Sequence, residues 1–573
     1  MIISRIKDDR DKTVSWIVNT CFGSLDDRRA LYDRRKRFFL FGSYSDMTVR
    51  YNRLRAHMDL VASFLYAADG AKFSVSAPRN SEDVVVKQFM SIQDSWNDDF
   101  RDSGIAYQYS DTLLWSLVFD SMFIKMGWNS EKDELFAQIV PPYHFGVFRD
   151  DIPDLDSQEA FCHRYSIDYD NAVQRLVRAG RSSDIPKLSI QSQVDENNLP
   201  PILANLIINA TGGPNLSGNI LGQANLDYEP TATYEAKVDA PVVDITECYV
   251  WDDDTEDYIL FEMISPDIVI SDSREVVDAM RKAKSNGEKL MPKTSANLYL
   301  PGEHPFVHLC PYKMFNYFWG EAAIDKLINL QKWTNERLDQ IADILDRQAD
   351  PAKVFSGFMG LSDEKAGALG GPGTWVMDQL PNAQVKELVP EMPQDLFAEV
   401  TAIGQIFLEA SGLTETTTGH GEQGVRSKGH AKQLATTGSA RIKKVAVAQE
   451  EPLAKIGHLG VKLMMKNDDT VITGDNKMKF VAAQAGDRWH IRIAGHSHSP
   501  LFSDEAKETA VLLLKAQAID GEMLIRLLNP PNADNLIHAL KERLAKAPKS
   551  PPVGPAGAKG KSKAHEARSQ TPS

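Results

Sequence analysis

The sequence predicts an α+β protein assembled from several parts rather than built on one core. The chain has 573 residues, whereas a single hydrophobic core stops growing at about 250–300. Its composition, 42% hydrophobic and 25% charged, is that of a folded globular protein rather than a disordered or fibrous one. Helix-period and strand-period patterns alternate along it, separated by glycine- and proline-rich stretches.

From the N-terminus, 26-DDRRALYDRRKRFFLF-41 and 48-TVRYNRLRAHMDLVASFLY-66 carry apolar residues at helical spacing, with Gly42 and Ser43 between them. Arg28, Arg29, Arg34, Arg35, Lys36 and Arg37 are interleaved with Asp26, Asp27 and Asp33, which reads as a solvated helix face rather than a binding patch. The stretch at about 188–240 is rich in Asn, Gly, Pro and Ser, an irregular peripheral insertion. In 243-VDITECYVWDDDTEDYILFEMI-264, two β-prone runs flank an acidic turn. It reads as a hairpin, and the turn lacks the glycine and distal Glu of a calcium loop.

Segment 321–348 has Ile324, Leu327, Ile328, Leu338, Ile341 and Leu345 on one stripe and Pro351 just beyond, so a helix of roughly 42 Å is expected. Segment 351–390 alternates short β-prone pieces with Gly and Pro turns, a small lobe. A second amphipathic helix follows at 394–412, with Leu396, Val400, Ile403 and Phe407 on one face and Gly412 as C-cap. Next come a glycine-rich polar loop and a long helical pattern from about Ala431 to Lys466, with a break expected at Pro452. Strands are expected at 478–484 and 488–494, helices at 503–519 and 532–547, and disorder from Pro548 onward.

Several function classes find no support. No run of about 18 apolar residues exists; 113–126 is interrupted by Asp120 and Lys125. The charged N-terminus is unlike a secretory signal, so the protein is expected to stay where it is made. Cys21, Cys162, Cys248 and Cys310 lack CxxC spacing and read as free thiols. A net charge of −15 argues against a broad nucleic-acid grip. The glycine-rich 370-GGPGTW-375 has no phosphate-loop Lys. Gly419, Gly421 and Gly424 match a GxGxxG spacing but follow a helical pattern rather than a strand. His490, His496 and His498 lack supporting metal-ligand motifs, and Asp154 with Asp156 or Asp168 with Asp170 are pairs that composition alone produces. The expectation is therefore no catalytic residue, no cofactor and no metal.

The order of helix, lobe, helix, polar loop, kinked helix, strands and terminal helices resembles the portal proteins of tailed bacteriophages. Within 303–344, Pro305, Phe306, Phe318, Gly320, Leu330, Gln331 and Asn335 resemble that family's pattern of Pro-Phe, an aromatic-Gly step and a helix with Leu-Gln and Asn. Segment 112–129 followed by 139–151 is similar to its helix-to-strand step and Pro-containing strand, and 410–442 to the region opening its channel loop.

The resemblance implies an elongated subunit of a ring of about twelve copies, a homododecamer, in the capsid vertex of the virion and assembled in the host cytoplasm. Residues 1–320 would form a wing with the 188–240 insertion, 321–348 a first stem helix, 349–391 a small α/β clip and 392–412 a second stem helix. Residues 413–430 would form the tunnel loop, 431–502 the wing helix and strands, 503–547 a helical crown and 548–573 a disordered tail.

Implied partners are the terminase large subunit, a head-tail adaptor, the major capsid or scaffolding protein, and double-stranded DNA passing through the channel, with no membrane. The loop residues facing DNA would be Thr416, Thr417, His420, Glu422, Gln423, Arg426 and Lys428. Those of the clip meeting partners would be Phe355, Phe358, Trp375 and Gln379. Twelve copies would carry a charge of about −180, compatible with a channel wall to which phosphates do not stick. Another connector or adaptor component is the nearest alternative, and a packaging enzyme the more distant one.

Overall fold

The structure, a computed structural model, describes residues 10–43, 51–67, 71–77, 83–129, 134–188, 242–253, 256–264, 267–274, 303–349, 351–356, 384–393, 395–413, 440–467, 470–473, 476–479, 489–493, 499, 503–528, 536, 539–540 and 543. It is α+β and divides into two units, Met1–Leu501 and Phe502–Ser573.

In the first unit, helices α1 (Arg10–Cys21), α2 (Leu25–Phe41), α3 (Arg53–Leu65), α4 (Asp83–Asp102) and α5 (Ile105–Phe119) surround two antiparallel sheets. Strand β1 (Phe73–Ser76) lies between α3 and α4. Strands β2 (Met122–Asn129) and β3 (Glu134–Val140) follow α5, as expected from the helix-to-strand step. The Pro-containing strand expected at 139–151 is instead two strands. β3 ends at Val140, Pro141 and Pro142 open a single 3-10 turn, and β4 (Phe145–Val147) restarts beyond it. Neither proline has an N–H to continue a ladder.

A sheet of order β4-β5-β6-β7-β8 adds β5 (Ala160–Asp168), β6 (Val242–Asp252), β7 (Asp257–Ile264) and β8 (Ile268–Asp272), while helix α6 (Tyr169–Arg178) follows β5. The hairpin around the acidic turn is present, with Trp251 opposite Tyr258. Both faces of the sheet are covered, which is why β6 is buried almost throughout, its polar Thr246 and Glu247 included. On one side Val14, Ile17, Val18 and Cys21 of α1 pack against Cys162, Cys248, Ile259 and Phe261. On the other lies an aromatic cluster of Phe123, Phe145, Phe161, Tyr249, Tyr258, Phe306, Phe318 and Trp319. Phe306 belongs to β9 (Phe306–Leu309), which joins β3 and β2 in a second sheet of order β3-β2-β9. All four cysteines are free and buried.

The sheets are also joined by charge. Lys125 Nζ of β2 donates to both carboxylate oxygens of Glu247 in β6 at 2.7 Å, and both side chains are buried. Burial opposes ionisation of Glu247, yet Lys125 and His163 outweigh it and hold the carboxyl down at about 2.

The arginine-rich face expected to be solvated is so only in part: Arg34 is exposed and Arg29 and Arg37 are half-buried, but the other three cations turn inward. Arg28, Arg35 and Lys36 are buried in α2, Arg35 with only 4% of its surface exposed. Leu25, Arg28, Tyr32, Arg35 and Phe39 fall on one helical stripe, so the packing that buries the apolar members carries the cations inward. Each finds a use there: the Arg28 guanidinium lies 3.6 Å over the Trp319 ring, and burial pushes the Lys36 ammonium down to about 7 against the opposing charge of Asp33.

Two long helices, α7 (Asp325–Ala349) and α8 (Asp395–Ser411), flank strands β10 (Ala352–Ser356) and β11 (Gln384–Leu388). The long pattern after residue 431 breaks ahead of its proline, into α9 (Ala440–Ala448) and α10 (Glu450–Asn467). Pro452 thus occupies the first turn of α10, where its missing N–H costs nothing. Helix α10 packs closely on α4: a Cβ at Gly460 would overlap the Trp96 ring. Of the strands expected at 478–484 and 488–494, the described residues show β13 (Asn476–Lys479) at the start of the first and β14 (His490–Ile493) within the second, the latter pairing with β1, while β12 (Thr470–Thr473), which pairs with β13, was not anticipated.

In the second unit, α11 (Ser503–Lys515) is followed by α12 (Gly521–Leu528), a helix not anticipated from the sequence. Of the helix expected at 532–547, residues 536, 539, 540 and 543 are described and are helical. The 188–240 insertion after Leu188 and the tail from Pro548 lie outside the described residues.

Gly460→Ala should destabilise the protein by roughly 1–3 kcal/mol through overpacking against Trp96, read as a lower urea midpoint at unchanged m-value. Acid should act through buried histidines. Burial lowers the His304 imidazole to about 4, with Lys455 adding to the effect and Asp156 opposing it. The unfolded chain binds that proton from pH 6.5 downward and the folded chain does not, so stability present above pH 6.5 is lost as pH falls toward 4. On the order of 2–3 kcal/mol is at stake for this one group. Denaturant titrations from pH 7 to pH 4 should show the fall, and His304→Gln should flatten it.

Candidate functional site

The part of the chain that stands out as built for something beyond its own core is the helix-hairpin-helix formed by α7, β10, β11 and α8. Antiparallel β10 and β11 pair Ala352 with Leu388 and Ser356 with Gln384. Helix α7 and helix α8 therefore run antiparallel, held by Arg337 Nε to Glu399 Oε1 at 2.9 Å and by Gln348 Nε2 donating to the Pro390 carbonyl at 2.9 Å.

The base of this arm is fixed by buried polar groups. Arg35 Nη1 donates to the Phe119 carbonyl at 2.7 Å and to Asp120 Oδ2 at 2.6 Å. Its Nε and Nη2 make a fork with the two carboxylate oxygens of Asp325, at 2.9 and 2.5 Å. One guanidinium thus joins α2, the end of α5 and the first turn of α7. Burial raises the Asp120 carboxyl, and even with the opposing pull of Arg35 it stands at about 7. Asp120 also has φ 97°, a backbone conformation a branched residue would not accept.

Two turns along α7, the amide of Gln331 is fully buried. Its Oε1 accepts from the Leu54 N–H at 3.1 Å, and its Nε2 donates to the Tyr51 carbonyl at 2.7 Å and to Asn335 Oδ1 at 2.8 Å. Asn335 Nδ2 in turn donates to the Gly42 carbonyl at 2.8 Å. Gln331 and Asn335, two of the residues that carry the family resemblance, thus satisfy backbone groups on both sides of the α2–α3 connection.

Further out, the arm changes character. Ile324, Leu327, Ile328 and Ile341 of the predicted apolar stripe are buried, but Leu345 is 49% exposed and Phe397 of α8 56%. Val389 is exposed as well, and so, nearer the base, are Trp333 and Ile406. On α8, Ile403, Gly404 and Phe407 form the inward face, where Phe407 meets His57 and the Arg53 guanidinium.

The end of α8 is capped by Gly412 in the left-handed conformation, φ 77°, as the sequence suggested. Arg441 Nη1 donates to the Glu409 carbonyl at 3.3 Å, so the described chain leaves at Leu413 and returns at Ala440 beside the same helix end. Thr416, Thr417, His420, Glu422, Gln423, Arg426 and Lys428 lie between those points, outside the described residues, as do Phe358, Trp375 and Gln379. Phe355 is in β10 opposite Val385. Among the described residues no group of three or more His, Cys, Asp or Glu is placed to hold a metal ion, and no helix is long and apolar enough to cross a membrane. His490 is exposed in β14, and His496 and His498 are outside the described residues.

No protein-family model and no curated protein matches this chain. What the site can do therefore rests on its own geometry: a braced helix pair bearing unpaired apolar side chains. The sequence reads Arg35 as part of a solvated cluster, although its place on the stripe of Leu25, Tyr32 and Phe39 is a readable signal of burial. Arg35→Ala should cost about 3 kcal/mol or more by leaving Asp120 buried without its counter-charge. Arg35→Lys should recover less than half of that in chemical denaturation, since an ammonium cannot fork onto Asp325 while reaching Phe119 and Asp120.

Proposed function

We propose that the chain is a ring-forming structural subunit of the portal type, which assembles side by side through the arm and lines a passage for double-stranded DNA. The observation that carries this reading is the direction of the exposed apolar side chains. Phe397 and Ile406 are nine residues apart on α8, about 180° around the helix, and Trp333 and Leu345 on α7 are about 120° apart. A two-fold dimer covers one patch, used by both copies; side chains leaving an arm in different directions suit a copy with two different neighbours, the arrangement that closes into a ring.

In that ring α7 and α8 are the stem, the hairpin β10–β11 belongs to the clip that meets the terminase and later the head-tail adaptor, and the segment between Leu413 and Ala440 faces DNA. The second unit, with Val511, Leu512, Leu513 and Leu514 exposed in succession, forms the crown, its apolar surface covered by the same unit of neighbouring copies. The chain acts by geometry and carries no catalytic residue. Its excess of acids, net −15 per copy, keeps phosphates from binding tightly as DNA slides.

Native mass spectrometry with negative-stain imaging of the purified chain tests this. A closed ring of about twelve copies with a central hole is the expected result, and a stable monomer or dimer under assembly conditions would overturn it.

A further inference from the structure

Between β9 and α7 the chain makes a tight turn whose construction is out of proportion to a connector. Met314 and Tyr317 bridge as a minimal antiparallel pair, with Phe315 and Asn316 at the tip and Asn316 at φ 50°. Below the tip every group is fastened. The Glu321 N–H donates to the Tyr312 carbonyl at 2.9 Å, closing the base, and the Phe318 N–H donates to the Asp150 carbonyl at 2.8 Å. Trp319 Nε1 donates to Asp150 Oδ1 at 2.7 Å, under the guanidinium of Arg28. Phe318 stacks on His308 with ring centroids 4.5 Å apart. Gly320 has no room for a Cβ, which would strike Cys310 and the Tyr312 carbonyl.

On this rigid base Phe315 is 93% exposed, the most exposed large apolar side chain among the described residues, with Met314 and Tyr317 exposed beside it. Phe315 alone presents on the order of 200 Å² to water. A loop of no purpose would be polar here or free to fold its aromatic inward. An apolar tip held out on a pre-ordered turn has the form of a binding anchor, where little freedom remains to be lost on contact.

We infer that the turn Met314–Tyr317 is an anchor that inserts into a neighbouring copy of this same chain. The inference rests on the ring reading above and names the contact that reading leaves open. Two observations select the occupant. First, the turn is continuous with the arm: Lys326, in the first turn of α7, pairs with Glu321 at 3.1 Å and lies 5.6 Å over the Tyr312 ring at the base of the turn. A copy packed along α7 therefore reaches the tip. Second, the charge fits a copy and not DNA. Segment 310-CPYKMFNYFWG-320 has no acidic residue, and its one cation, Lys313, is already paired with Glu451 at 3.0 Å. The turn itself therefore offers no cation of its own to phosphates beyond the paired Lys313, whereas an acidic chain is not repelled.

The full-length chain and its Phe315→Ala, Phe315→Asp and Phe315→Trp variants would be compared by sedimentation velocity and native mass spectrometry over a dilution series, with circular dichroism melts of the dissociated subunits. Loss of the aromatic should weaken association roughly ten- to hundredfold in Phe315→Ala and abolish rings in Phe315→Asp. Phe315→Trp should restore them, and the subunit melts should be unchanged because the side chain is in solvent. If the wild-type chain forms rings and Phe315→Ala and Phe315→Asp form them equally well, the anchor is refuted while the ring reading stands. If the wild-type chain does not form rings, the ring reading itself fails and the anchor with it.

Discussion

A guanidinium that is 4% exposed has to be paired, and the pairing of Arg35 decides where three helices go. In water its five donors would be solvated from any direction. Inside, they require acceptors at fixed angles, and these come from the Phe119 carbonyl, Asp120 and Asp325. The first turn of α7 is thereby locked to α2 and to the end of α5. Everything the arm presents at its far end depends on that lock, because a small tilt at the base of a 25-residue helix becomes a displacement of many ångströms at its tip.

The same logic recurs where the two sheets meet. Lys125 and Glu247 face each other across β2 and β6, both buried, and Tyr249 donates to the same carboxylate at 3.1 Å. Hydrophobic residues of equal volume would hold the sheets as firmly. What the ion pair adds is a unique register: a slip by one residue would leave two buried charges uncompensated, a larger penalty than any apolar mismatch there would impose. Helix α10 is pinned comparably by carboxylates outside it, with Asp156 meeting His304 at 2.7 Å and also Lys455, and Glu303 meeting His458 at 3.0 Å and also Lys462.

A base fixed by buried polar contacts and a distal surface left apolar and open form one design. The inner half of the arm makes amide contacts through Gln331 and Asn335 that only this fold satisfies, while the outer half leaves Leu345, Val389 and Phe397 in water. An isolated subunit gains nothing from that exposure. On the ring reading proposed above, a neighbouring copy would cover part of it, and the rigid turn at Phe315 would belong to the same pattern.

Local pattern was enough for much of this. The periodicity of 321–348 and 394–412, the Gly412 cap, the hairpin around the acidic turn and the break near Pro452 are each set by a few adjacent residues, through side-chain spacing, a missing N–H or a missing Cβ, and each is legible in the sequence. Charge in α2 was not. Interleaved Arg and Asp describe a solvated helix unless something distant covers them, and the covering groups, Asp120, Trp319 and Asp325, lie some 90 to 300 positions away. Nor does a stripe such as Leu327 to Leu345 show where burial along it stops: the pattern is uniform, but Ile341 is buried and Leu345, one turn on, is left in water. Backbone geometry and residues three or four apart make many of the helices and strands, and the apolar face of each, readable from the sequence, although α12 and the division of 139–151 into two strands escaped that reading. Only the tertiary structure decided which charges are buried and which apolar side chains stay in water, because both depend on groups that are distant in the chain and meet only when it folds.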